Sequence, residues 1–320
     1  MSPALAADRA IRRRLVAVVG PTASGKTELA VGLAELIAGE LVSADSRQAI
    51  AEIAVGVCKP AADELRGVPC HGLDWRHLGE PFTAVDFVGR ADPVLEDVWG
   101  RGRVPIVVGG TGLYVRALLR GYDFGRTPPQ ASRATPTPLA GADLLGHDVA
   151  ELMRLAPEVG ERVDLNNPRR VVRALELARA GLSASQRTRD WSAVQIGCRV
   201  DPGRLRARIA SRAERIMGPE LRAEVAALLD AGHSVEAIRG AAIGYAEALA
   251  WMAGDCTRGQ AVQELTSRTW RYARAQRTWL RSEPAVVWID AEMDIQGMVA
   301  ACRSILDSHW DQEQASTTPP

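Results

Sequence analysis

Residues 15–32 read Leu15-Val16-Ala17-Val18-Val19-Gly20-Pro21-Thr22-Ala23-Ser24-Gly25-Lys26-Thr27-Glu28-Leu29-Ala30-Val31-Gly32. Leu15 to Val19 form an unbroken apolar run, mostly β-branched, which is how a strand buried on both faces reads. Gly20 to Thr27 follow directly and fit G-x-x-x-x-G-K-[ST], and an amphipathic stretch runs from Glu28 to Ile37. Strand, glycine loop and helix start in that order predict a phosphate-binding loop built from Gly20, Pro21, Thr22, Ala23, Ser24, Gly25, Lys26 and Thr27. Its backbone N–H groups and the positive end of the helix dipole point at one spot, where an anion is stabilised. Lys26 adds a charge that reaches the outer phosphate, and the Thr27 hydroxyl can bind phosphate or hold Mg²⁺. The chain has only two lysines, Lys26 and Lys59, among abundant arginines, yet one of them stands at this loop.

Working outward, the expected fold class is α/β: a parallel sheet of the P-loop type flanked by helices, with a mostly helical insertion domain. Further strands are predicted at 40–44, 103–108, 194–200 and 285–289. Asp45-Ser46-Arg47-Gln48 stands where the second strand stops. In an open parallel sheet the ligand crevice lies at the carboxyl ends of the strands, so Asp45 should face the glycine loop. The competing role for Asp and Ser there is helix capping. Gly109-Gly110-Thr111-Gly112 closes the third strand, and either admits a ligand close to the backbone or makes a tight turn. His71 reads as structural. A helix is predicted over Ala84–Trp99, with Val85, Val88, Val94, Leu95 and Val98 available for one side.

The expected domains are a catalytic core at 13–121 and 191–292, an insertion at 122–190, and a disordered tail at 311–320. Pro, Thr, Ala and Gly crowd 125–142, which reads as a loop. Asn167-Pro168 opens a helix on which Arg170 and Arg173 share a face. Arg208 and Arg212 are neighbours on a later helix, and their meaning depends on whether that face looks at the glycine loop. From Glu264 to Arg281 arginines 268, 271, 274, 277 and 281 interleave with Trp270, Tyr272 and Trp279, which fits either nucleic-acid contact or a solvated amphipathic helix.

With 320 residues the chain can hold one large or two small domains. Net charge is +0, so no global field draws in polyanions, and any such contact must come from local Arg clusters. The five cysteines form no C-x-x-C pair, which argues against zinc and against a disulfide framework. No 18-residue apolar run and no signal-peptide core are present. The expectation is a soluble, cytoplasmic protein without membrane contact.

Taken together, these residues resemble the tRNA dimethylallyltransferases, over about Leu15 to Trp288. The strongest pieces are Gly20 to Thr27, Ala44-Asp45-Ser46-Arg47-Gln48 and Val107 to Tyr114. Weaker support comes from Pro168 to Arg173, Arg208 with Arg212, Ile243-Gly244-Tyr245, and Tyr272-Ala273-Arg274 with Gln276, Thr278 and Trp279. The resemblance implies that the loop holds the diphosphate of dimethylallyl diphosphate with Mg²⁺, Thr27 being the protein ligand. It implies that the acceptor is the N6 of an adenosine beside the anticodon in the tRNA anticodon arm. Asp45 would be the general base, and Thr27, Arg170 and Arg212 would contact the diphosphate. The acceptor would meet Asp45, Ser46, Arg47, Gln48, Thr111, Arg169, Arg170, Arg173, Gly244, Tyr245 and Arg274. The expected oligomeric state is a monomer. The chain departs from the family pattern at Ala49 to Lys59, at Pro69-Cys70-His71, at Trp270 and Ala275 where two basic positions are lost, and over 125–142, and these departures are expected to fall mostly on the acceptor side. The alternatives are a diverged prenyltransferase acting on a free adenine nucleotide or other small acceptor, an ATP-binding P-loop kinase or ATPase, and a binding protein that has lost turnover.

Overall fold

The structure, a computed structural model, describes residues 13–123, 142–161, 163–181 and 185–317. Its contacts divide the chain into two units, residues 1–119 with 190–320, and residues 120–189. Most of the stretch predicted as a loop at 125–142 lies outside the described residues.

The strands are β1 (Arg14–Val19), β2 (Gly39–Ser43), β3 (Cys70–His71), β4 (Val104–Gly109), β5 (Tyr122–Asp123), β6 (Ser185–Gln186), β7 (Ser192–Arg199) and β8 (Val286–Asp290). In the larger unit six of them form one sheet in the order β3-β2-β4-β1-β7-β8, and every pairing is parallel. Such a sheet needs both faces covered, which is why Leu15 to Val19 are all buried. After β1 the chain crosses to β2, returns to insert β4 between them, and later adds β7 on the other side of β1. That reversal beside β1 opens a crevice at the carboxyl ends of the strands. The register sets Val19 beside Gly109 and Ser43 beside Val108, so the segments that follow β1, β2 and β4 emerge at one level.

One core cluster joins the sheet to the helices Lys26–Ile37, Pro202–Ile216 and Ile295–Thr317. A second, mostly helical cluster lies among residues 213–265 and takes in Ile50 and Ile53 from the segment after β2. The smaller unit has its own small core of Leu152, Ala156, Val171, Ala174 and Leu175, and an antiparallel β5–β6 pair. Its helix Pro168–Arg179 starts as its sequence predicts, with the Asn167 side chain accepting from the Arg170 N–H.

Three expectations need correction. The helix Ala84–Gly100 buries Phe87, Val88, Ala91, Leu95 and Val98, while Val85 is half exposed; the face is set by the aromatic Phe87, stacked on Tyr114. The basic helix begins at Arg258, because Thr257 and Gln260 form a capping box there. The tail predicted to be disordered from 311 instead continues the last helix through Thr317. Cys302, Leu306 and Trp310 anchor that helix in the core, and the Gln, Glu and Ala that follow are good helix formers. Residues 318–320 lie outside the described residues.

Candidate active site

The glycine loop turns tightly after β1. Gly25 caps the helix Lys26–Ile37 at φ 84°, and Ala23 is also left-handed at φ 64°. For Ala23 that conformation costs about 1–2 kcal/mol. The turn leaves the N–H groups of Gly25, Lys26 and Thr27 without a protein acceptor among the described residues. Orphan donors at a helix N-terminus form an anion site. Gly20 is needed for space, since a Cβ there would come within 2.6 Å of Ser24 Oγ.

Lys26, Thr27 and Asp45 line one small polar cavity, about 70 Å³, together with Ser43, Gln48, Cys58 and Arg212. Asp45 therefore lies beside the loop, where its charge acts on Lys26. Asp45 Oδ1 also accepts from the N–H groups of Arg47 (2.9 Å) and Gln48 (3.4 Å), which closes a turn over 46–49; no helix starts there, so the helix-capping role is not the one the residue has. Burial disfavours the Lys26 ammonium and pulls its pKa down; Asp45 opposes this and Arg212 reinforces it.

Two larger recesses adjoin this floor. One, about 1100 Å³, carries an excess of cations: Lys26, Arg208, Arg212 and Arg215 line it with the loop residues Gly25 and Thr27, and with Lys59 and Arg66 they outnumber Glu28, Glu64 and Glu220. The face whose meaning the spacing left open does look at the glycine loop. The other, about 410 Å³, runs from Asp45 past Thr111, Tyr272 and Trp279 to apolar residues such as Ile209 and Ile243. Arg212 borders all three spaces; its Nη1 donates to Thr22 Oγ1 (3.4 Å) and its Nε to Cys58 Sγ (2.9 Å).

The second glycine turn owes its composition to packing. A Cβ at Gly109 would lie 2.3 Å from the Ala44 carbonyl oxygen, at Gly110 2.1 Å from Gln276 Nε2, and at Gly112 2.5 Å from the Trp279 ring. Thr111 accepts a hydrogen bond from the Ser46 N–H at Oγ1 (3.2 Å) and borders the recess beside Asp45.

Other expected acceptor residues are placed differently. Gln48 borders the small cavity, but its amide is spent within the protein, accepting from Ser43 Oγ and donating to the Cys58 carbonyl (3.1 Å). Arg47 borders the recess and donates to the Ala241 carbonyl (2.8 Å). Tyr245 is fully buried and donates to Glu224 (2.5 Å), and the Gly244 N–H is used by Glu247. Both are core residues, because the Tyr245 ring packs against Gly56 where no Cβ fits. Arg274 is exposed on the basic helix and borders neither recess. Arg170 and Arg173 belong to the smaller unit, where Arg173 pairs with Glu176 (3.1 Å); the Arg169 side chain lies outside the described residues.

The departures from the family pattern are not confined to the acceptor side, since Val57, Cys58 and Cys70 border the small cavity with Lys26 and Thr27. Lys59 holds their loop by donating to the Ile50 carbonyl (2.7 Å) and Asp74 (2.5 Å). Sequence reasoning assigned no site role to Tyr272 or Gln276. Tyr272 borders the recess, and its phenol is pushed up to about 12, first by burial and then by the Asp45 charge. The basic–aromatic pattern of the helix includes Tyr272 but carries no signal for Gln276.

The family model described as IPP transferase matches residues 48–283. The chain belongs to the IPP transferase family. It is 37% identical over 283 residues to a tRNA dimethylallyltransferase of Salinispora tropica, covering 87% of this chain and 88% of the relative. It is 40% identical over 297 residues to a tRNA dimethylallyltransferase of Anaeromyxobacter dehalogenans, covering 89% and 97%. Its fold matches a tRNA isopentenylpyrophosphate transferase of Bacillus halodurans with a TM-score of 0.70 at 30% identity, over 95% of this chain and 98% of that one. Membership of the IPP transferase family makes the chain an enzyme, a transferase, and does not favour the kinase or binding-protein alternatives.

Proposed function

We propose that this IPP transferase moves a dimethylallyl group from dimethylallyl diphosphate to the N6 of an adenosine beside the anticodon in tRNA, releasing diphosphate. The observation that carries the reading is the shared cavity: Asp45 faces Lys26 and Thr27 across it, with a cationic recess on one side and a partly apolar recess on the other. The diphosphate belongs on the cationic side, against the free loop amides, Lys26 and Arg212. The adenine belongs beside Asp45, Thr111 and Tyr272, having left its stack.

In the reaction the allylic C–O bond breaks and its electron pair leaves on the diphosphate oxygen. The N6 lone pair forms the new C–N bond, and the N6 proton passes to the Asp45 carboxylate. The loop amides, Lys26 and Arg212 stabilise charge that grows on the leaving oxygen, so they favour the transition state over the ground state. For Arg170 the support is the family resemblance alone.

Among the described residues no group of three His, Cys, Asp or Glu converges into a metal cage. The donor at hand is the Thr27 hydroxyl, a hard oxygen that suits Mg²⁺ held mainly by substrate phosphates and water. Bound with the diphosphate, the ion supplies further neutralisation of the leaving group.

The test is to incubate the protein with labelled dimethylallyl diphosphate and Mg²⁺ in the presence of unmodified tRNA, AMP or ATP. Label in tRNA is expected; label confined to AMP or another small acceptor would overturn the choice of acceptor. ATP turnover without prenyl transfer would overturn the chemistry.

A further inference from the structure

Among the described residues, Gln276 ties the glycine loop to the acceptor-side turn by hydrogen bonds to both. Its Oε1 accepts from the Thr22 N–H at 2.8 Å, and its Nε2 donates to the Gly110 carbonyl at 3.0 Å. It is 3% exposed and sits on the basic helix Arg258–Arg281. The partners force the orientation of the amide, because a backbone N–H can only donate and a carbonyl can only accept. At neutral pH an uncharged side chain of that reach with both groups is Gln, since Glu offers a donor only when protonated. Beyond Gly110, the Thr111 N–H donates to the Ala44 carbonyl (3.3 Å), next to Asp45. On the loop side, Thr22 also accepts from Arg212.

We infer that Gln276 is a positioning residue for prenyl transfer: its amide sets the spacing between the diphosphate cradle and the Asp45–Thr111 acceptor edge. The inference rests on the proposed reaction. Donor and acceptor sit on separate loops, and an error of about 1 Å between reacting atoms can cost about 100-fold in rate. Diphosphate affinity depends on Lys26, Arg212 and the loop amides, not on that spacing.

Gln276→Leu removes both hydrogen bonds at similar volume. Gln276→Glu is the sharper probe, because a protonated carboxyl copies the amide, accepting from Thr22 N–H and donating to the Gly110 carbonyl, whereas the carboxylate opposes that carbonyl. Burial favours the protonated form, which brings its titration into an accessible range. Asp45, Arg47, Arg212 and Tyr272 face the same recess. They are common to wild type and variant, so the ratio of the two pH profiles cancels them.

The experiment measures single-turnover prenyl transfer to an unmodified anticodon stem-loop RNA, the Kd for dimethylallyl diphosphate, and Tm, from pH 6 to 9. Expected for Gln276→Leu is a rate down about 100-fold with Kd changed less than about threefold. Expected for Gln276→Glu is a rate, relative to wild type, that recovers on acidification by about tenfold per pH unit across its titration, at constant Kd. Rate and Kd falling together, a Gln276→Leu rate equal to wild type, or a flat Gln276→Glu ratio would each overturn the inference. If Gln276→Leu fails to fold, the Gln276→Glu ratio decides. Wild-type protein that transfers no prenyl group would sink the proposed reaction and this inference with it; wild-type transfer with unaffected variants sinks the inference alone.

Discussion

Lys26 sits under opposed influences: burial and Arg212 favour its neutral form, while Asp45 favours the ammonium. A bound diphosphate brings several negative charges to the same place and shifts the balance toward the ammonium. Diphosphate affinity should therefore fall as pH rises through the lowered Lys26 pKa, below the ordinary lysine value of 10.5. Calorimetric titration with inorganic pyrophosphate checks this, and Lys26→Met should weaken binding and remove that limb of the profile. Persistence of the limb in Lys26→Met would assign it to another group. Asp45 makes a different prediction, since its task is proton removal. Asp45→Ala should lower transfer by about 10²–10⁴-fold while diphosphate binding persists. Normal turnover in that variant would show that Asp45 is not the base.

At the scale of elements, the β2–β3 edge of the sheet rests on a buried carboxylate. Glu40 on β2 is fully buried and pairs with Arg101, Arg103 and, at 2.8 Å, His71 on β3. The Arg101 hydrogen bond leads in holding its carboxyl down to about 2, with His71 and Arg103 assisting against the cost of burial. A depressed folded pKa means that the stabilisation is present above the unfolded carboxyl value and is lost as pH falls through the folded one. Stability should thus drop between about pH 4.5 and 2, and Glu40→Gln should cost about 2 kcal/mol near neutrality and flatten that drop. The arginines are partly exposed, and solvent screening limits what the pairs contribute. Urea titration of both proteins at several pH values is the measurement; an unchanged acid limb in the variant would reassign it. His71 thus has the structural place its sequence suggested, although the partner Glu40, 31 residues away, has no signal in the local pattern.

For the molecule as a whole, the net charge of +0 leaves tRNA binding to local arginines. On the basic helix Arg268 is spent on the buried Glu247 (2.5 Å), and Arg271 pairs with Glu264 (3.2 Å). Arg274 and Arg277 have no ion pair among the described residues. Replacing both with Ala should weaken tRNA binding and reduce the slope of log K against log salt by about 1 per lost phosphate contact. Unchanged affinity and slope would make that face plain solvated surface.

The order strand, glycine loop, helix and the placement of Asp45 after β2 were readable from local pattern alone, because period, turn chemistry and the crevice rule act over a few residues. The same locality explains the prediction of the Asn167-capped helix. Spacing could not tell that Gly109, Gly110 and Gly112 make room for Ala44, Gln276 and Trp279, or that Tyr245 turns into the core. It also could not aim Arg208 and Arg212 at the loop or bring Cys58 and Cys70 to the cavity. Those facts depend on which faces pack against one another once residues far apart in sequence meet, and only the tertiary structure decides that.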